Sequence, residues 1–328
     1  MSESFNKFMK DESIAIKTRE LVSWLLYKNQ DNGFEPDKLF KSNYDELEDY
    51  IVRLKPTSIP SVSTYCYVLS VYFKWCSDNK YCSKEQYEMV SDIDRGLIWK
   101  KVKPHVSKRF ITNSQYLQIL DDINKYEELN SLYYKTLYEC IYEGVYGENL
   151  TEIRELRASD INGRLLTICH DDGTKNTFEI SQSLADDLIE LSGEEEWERN
   201  HRYGTCKIKL IGKYPDSCFK VEFRNNCTDM DKAYRFFYYS KLRKIAEDYV
   251  GYKMLPLHIY QSGIINRICQ KLVSKGIKIK EAFSENNKNP AIKQIIDEEI
   301  NRVGYNISSA DFRFHMISFM DMFIEEYD

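Results

Sequence analysis

The sequence predicts a mainly α-helical fold in two domains, with one small β-hairpin. Three observations lead there. Apolar residues recur at helical spacing through most of the chain. The 328 residues include only 13 Gly and 7 Pro, too few for a turn-rich sandwich or barrel. The periodicity switches to strand-like in one short stretch, 165–180. With 42% hydrophobic and 14% aromatic residues, the chain can bury a real core, which excludes wholesale disorder.

Taken in order, Ile14, Leu21, Val22, Trp24, Leu25 and Leu26 mark a first helix that stops at Asn32-Gly33. Tyr44, Leu47, Tyr50, Ile51 and Leu54 share one face of a second, over about 43–54. The stretch 61–76 is the clearest helix, with Ser61 and Ser63 as candidate N-caps and Tyr65, Leu69, Tyr72 and Phe73 as its apolar stripe. A short helix follows over 83–93. The run 96–109 has five basic residues, one Pro and no acid, and reads as a boundary. Beyond it, Thr112-Asn-Ser-Gln115 caps a helix, and helices follow over 132–146 and 150–156. Strands 165–169 and 176–180 flank Asp171-Asp-Gly-Thr-Lys175, a hairpin turn. Helix returns over 184–191, the segment 193–227 reads as irregular, and helices are expected over 232–250, 257–275, 290–303 and 310–326.

The net charge is −6, from 46 Lys+Arg against 52 Asp+Glu, and as a sum it argues against a nucleic-acid partner. Along the chain the charge separates. Acid gathers at 186–198 and at the C-terminus, while 99–109, 232–244 and 271–280 are basic and nearly acid-free. The nine Cys are scattered, with no CxxC pair. Cys206, Cys218 and Cys227 near His201 fit no common zinc spacing, so they read as idle thiols, and no metal or other cofactor is expected. The start carries no apolar signal region and no apolar run reaches a membrane span, which together suggest a cytoplasmic protein. Nucleotide-binding, zinc-protease and serine-hydrolase motifs are absent.

At Gly147-Glu-Asn-Leu-Thr-Glu-Ile-Arg-Glu-Leu-Arg-Ala-Ser-Asp-Ile161 the sequence resembles the tyrosine recombinases (phage integrases). Thr151, Glu152, Leu156, Asp160 and Ile161 fall in that family's register, and Lys175 occupies the place of its lysine-bearing hairpin. The helix 61–75 resembles the core-binding domain that precedes the catalytic one. The resemblance implies a two-domain clamp: a helical, SAM-like core-binding domain over 1–98, a basic linker over 99–109, and an integrase-like catalytic-fold domain over 110–328. In the family a Tyr hydroxyl attacks a DNA phosphate held by two arginines, whose planar forks match its oxygens.

This sequence departs from that set. Asn149 stands at the first arginine position. In the H-x-x-R motif, His258 aligns and Gln261 replaces the arginine, and no Tyr lies in the expected late helix. A rival alignment through Arg313 and Tyr327 keeps an arginine but loses the His. Arg154 or Arg157 would then have to replace Asn149. Losing one phosphate ligand costs about 10²–10³ in rate, so the expectation is a retained fold without cleavage chemistry. The sequence is similar to the recombinase-derived repressors of SPbeta-type prophages, which bind operators and maintain lysogeny. That likeness implies double-stranded DNA as partner, a nucleoid-associated protein in a bacterial host and possible control by a second protein; a divergent active recombinase is the alternative. Candidate DNA contacts are Thr64, Tyr65 and Lys74; Lys100, Lys101, Lys103, Lys108 and Arg109 in the linker; and Arg154, Lys175, Lys207, Lys209, Arg235, Lys241 and Arg243 on the second domain. For each of these, a solvated surface charge is the competing reading.

Overall fold

The structure, a computed structural model, describes residues 3–27, 36–106, 109–201, 204–222, 229–252, 254–284, 289–305 and 307–328. The chain divides into two compact units, Met1–Ser107 and Lys108–Asp328.

The first unit is helical: α1 (Glu3–Lys10), α2 (Ile16–Tyr27), a 3₁₀ segment (Pro36–Lys41), α3 (Tyr44–Arg53), α4 (Ile59–Asp78), α5 (Lys84–Ser91) and α6 (Arg95–Val106). Its core gathers around α4, where Tyr72 and Phe73 are fully buried and meet Phe8 and Phe40 edge-on or stacked at 5.1–6.0 Å. The α4 cap is Ser58, and Ser61, expected as a cap, is the reciprocating residue three positions on.

The linker expected over 99–109 is, up to Val106, helix α6. Ile98, Trp99 and Val102 form a buried stripe at helical spacing, and α6 contacts α3 and α4. The lysines occupy its other side, and their density masked the stripe in the sequence.

The second unit is built around α8 (Ser131–Glu143) and α12 (Pro256–Ser274). Gly263 lets these helices touch, because a Cβ there would overlap the Tyr142 carbonyl. Around the pair lie α7 (Asn113–Tyr126), the short α9 (Thr151–Glu155), α10 (Gln182–Gly193), α11 (Met230–Ile245), α13 (Ile279–Ala282) and α14 (Pro290–Arg302). The expected hairpin is present as β2 (Leu165–Cys169) and β3 (Lys175–Glu179), with β1 (Ile161–Asn162) antiparallel beside β2.

Two expectations fail in this unit. The segment read as irregular holds a second antiparallel sheet, β4 (Glu196–His201), β5 (Gly204–Ile211) and β6 (Val221–Glu222). The alternation Lys207-Ile-Lys-Leu210 was its signal, obscured by the charges, while the buried Trp197 anchors β4 on Tyr133 and Phe237. The single C-terminal helix is two, α15 (Ser309–Met316) and α16 (Asp321–Tyr327), parted by a 3₁₀ turn. The terminal acids cap neighbours: Glu326 accepts from Ser114 N (3.0 Å) at the start of α7, and Asp328 from Ile279 N (2.7 Å) at α13. Among the described residues no helix is long and apolar enough to cross a membrane.

Candidate nucleic-acid interface

The recombinase-like segment opens with a tight turn. Gly147, Asn149 and Leu150 all have positive φ (63°, 58° and 63°), a region that glycine and asparagine tolerate and leucine rarely adopts. The strained leucine is buried, which holds the turn in place and leaves the Asn149 side chain exposed and neutral.

Below this turn, α9 meets the hairpin. Glu152 on α9 accepts from Tyr146 N (2.8 Å), and its other oxygen shares a 2.6 Å hydrogen bond with His170 Nδ1 at the end of β2. Burial raises the Glu152 carboxyl above its ordinary value although both partners oppose it. His170 Nε2 is buried without a partner, against Gly304. Asp171 accepts from Glu148 N (2.9 Å) and Thr151 Oγ1 (2.5 Å), fastening the hairpin turn to the strained turn. Sequence reasoning missed both His170 and Asp171 as organisers, because their partners are 18–23 residues away.

Two shallow clefts sharing Thr151 and Arg154 flank α9. One, of about 460 Å³, includes His170, Asp171 and Lys175; the other, of about 380 Å³, includes Asn149, Asp231 and Arg235. The structure thus brings Asn149, Arg154, Lys175 and Arg235 to one region. Arg154 is committed there, with ion pairs to Glu155 (2.9 Å) and Asp231 (2.7 Å). Arg157 lies over the Tyr214 ring (4.4 Å), and Lys175 is exposed on β3.

The two H-x-x-R positions are used differently. His258, beside Phe110 (5.7 Å between ring centroids), is held near pKa 4 by burial and by Arg109, so it is neutral at pH 7, and its Nδ1 has no partner. Gln261 donates to the Tyr305 hydroxyl (2.9 Å). Tyr305 packs edge-on against Tyr260, which stacks on Tyr146. That aromatic relay joins Gln261 to the Glu152 region, and nothing in the local sequence at Tyr305 announces it. Of the rival pair, Arg313 is half-buried on α15, and Tyr327 donates to the buried Asn266 Oδ1 (3.1 Å).

The other candidates are dispersed. In the first unit Thr64 donates to the Pro60 carbonyl of its own helix, Tyr65 packs on Trp24, and Lys74 and Lys100 are exposed. Lys101 pairs with the buried Glu48 (3.0 Å), Lys103 is half-buried, and Lys108 lies outside the described residues. On β5, Lys207 pairs with Glu196 (3.0 Å), while Lys209 is exposed. Arg235, Lys241 and Arg243 all lie on α11. At 100° per residue Arg235 and Arg243 fall about 80° apart while Lys241 turns to another side: Arg235 borders the Asn149 cleft, Lys241 lies over Trp197, and Arg243 pairs with Glu247 (2.8 Å). Cys218 is buried with its thiol pushed up to about 12, and no metal-ligating cluster occurs among the described residues.

The family comparison makes this helical domain with its small antiparallel sheets a tyrosine recombinase-like domain. The model of the family described as MrpR, C-terminal catalytic domain, matches residues 110–303, more than half of the chain, and the chain belongs to that family. No curated protein matches it.

Proposed function

We infer that this chain is a sequence-specific DNA-binding repressor of a prophage, built on a recombinase-derived fold without strand-cleaving activity, and that it maintains lysogeny from the cytoplasm of a bacterial host. The observation that carries this reading is the state of the phosphate-handling positions. Asn149 is neutral, Gln261 is bonded to Tyr305, His258 is uncharged, and the nearby Arg154 is neutralised by two carboxylates. A cleaving site needs cations free to meet a phosphate whose charge grows in the transition state. MrpR, after which the family is described, is an SPbeta-type repressor, which supports the same reading.

The word catalytic in the family description favours the second reading, a divergent active recombinase. One experiment separates them. The chain is used to select duplexes from a randomised pool, and the enriched sequence is then offered as a nicked suicide substrate. The repressor reading expects enrichment of one sequence, binding that weakens steeply with salt, and no covalent adduct. A phosphotyrosyl adduct that disappears with Tyr327→Phe overturns it in favour of the recombinase. Failure to enrich any sequence at low salt overturns both.

A further inference from the structure

Two surfaces of the second unit lie outside the recombinase-like site. The first is a cleft of about 570 Å³ between the end of α7, strand β4 and helix α11. Lys241 lies over its Trp197 and Phe237 rings at 3.9 and 4.5 Å, so the chain's own cation covers the floor. The rim is open. Tyr126 and Phe236 line it while 60% and 67% exposed, a large aromatic area to leave in water. The exposed Glu128 and Asp248 beside them have no ion pair among the described residues. Across β4 a second cleft adds the exposed Glu194 and Glu195.

The second surface is the turn between α12 and α13, inside the basic stretch 271–280. Val273 is 43% exposed there, and Lys275, Lys278 and Lys280 are exposed without a carboxylate ion pair among the described residues. The neighbouring Asp328 carboxylate accepts from the Ile279 and Lys280 backbone N–H groups instead. We propose that the α12–α13 turn of one copy docks into the aromatic, acidic cleft of a second copy.

The two surfaces match in shape, in charge and in their apolar centres. A projecting turn meets a concavity, ammonium groups meet carboxylates, and Val273 meets the Phe236 ring. No residue of the turn lines the cleft, and α13 packs on α12 and α16, so the contact joins two chains rather than closing on one. A knob and a cleft on different surfaces make a heterologous contact, which adds copies head to tail. At about 0.1 M salt the Debye length of about 10 Å screens the repulsion between two chains of net charge −6, while opposite charges in contact still attract. One turn in one cleft buries less than the roughly 1,200 Å² of stable complexes, so the association is weak and reversible.

The test is sedimentation velocity of the intact chain over a range of concentrations, in about 0.1 M and about 1 M salt. The sedimentation coefficient should rise with concentration in the lower salt, and association should be about tenfold weaker in the higher. Lys275→Glu/Lys278→Glu and Glu128→Lys/Asp248→Lys should each sediment as monomers with unchanged melts. Their equimolar mixture should associate again, because each chain offers the surface that the other has lost. Phe236→Ser, which changes no charge, should weaken association about fivefold. A wild-type chain that stays monomeric in the lower salt overturns the proposal. So does association that survives either reversal, that the mixture fails to restore, or that Phe236→Ser leaves unchanged. Docking needs no DNA, so these outcomes are separate from those of the repressor reading.

Discussion

Glu299→Gln is the substitution whose cost can be worked most directly from the structure. Glu299, on α14, has a fully buried side chain that accepts from Arg267 Nε at 2.5 Å and pairs with Lys271 at 3.0 Å and Arg302 at 3.2 Å. Arg302 continues to the Glu143 carboxylate (3.2 Å) and the Glu179 carbonyl (2.9 Å), so one carboxylate helps tie α14 to α12, α8 and β3. Gln preserves the shape but leaves two mostly buried guanidiniums short of countercharge. Breaking a buried ion pair from one side costs about 3–5 kcal/mol. At about 2–4 °C per kcal/mol for a domain of this size, the unfolding midpoint at pH 7 should fall by about 6–20 °C. Circular dichroism melts check this. Lys271→Met, which removes a 40% exposed partner, is the control and should cost under about 1 kcal/mol. The pH dependence has a definite sign. Burial pushes the Glu299 carboxyl up, but Arg267 and Arg302 outweigh it and hold the folded value below 4.5. The wild-type advantage is therefore complete above the unfolded value and is lost as pH falls through the lower folded one. A loss under about 1 kcal/mol at pH 7, or a gap between wild type and variant that persists undiminished in acid, would refute the reasoning.

Glu139, buried on α8, behaves oppositely: burial, reinforced by Asp187 and Glu143, raises it to about 7 although Lys135 and Ser181 oppose the shift. Its folded form holds the proton more tightly than the unfolded chain, so its stabilising share is complete below 4.5 and is lost as pH rises through about 7. Glu139→Gln should stabilise on the order of 1–3 kcal/mol at pH 8 and change little at pH 4.5, and equal midpoint shifts at the two pH values would contradict this. Lys101→Ala should lower the unfolding midpoint by stranding the Glu48 carboxylate, while the exposed Lys100→Ala leaves the melt unchanged. On the proposed repressor function, Lys175→Ala should weaken binding to all DNA sequences alike and reduce the salt slope by about 1, and a changed sequence preference would assign Lys175 to base reading instead.

Much of the helical layout was legible because capping and periodicity are local. Asn43 and Glu46, Ser83 and Gln86, and Thr112 and Gln115 form reciprocal caps within four residues, so the chain itself carries the signal. The hairpin 165–179 was legible for the same reason, through its alternation and its Asp-Gly turn. Charge density misled where it overlay a buried stripe, as in α6 and β5, because a helix or strand can hide apolar residues on one side while lysines fill the other.

The sequence by itself determined the class of fold and marked Asn149 and Gln261 as neutral residues in a recombinase-like register. Only the tertiary structure decided what surrounds them. It assigned Arg154 to Glu155 and Asp231, buried His258 beside Phe110, joined Gln261 to Tyr305, and drew Lys241 over Trp197. The physical reason is that charge and proton affinity depend on what lies within a few ångströms, and those neighbours come from segments up to about 150 residues away in the chain.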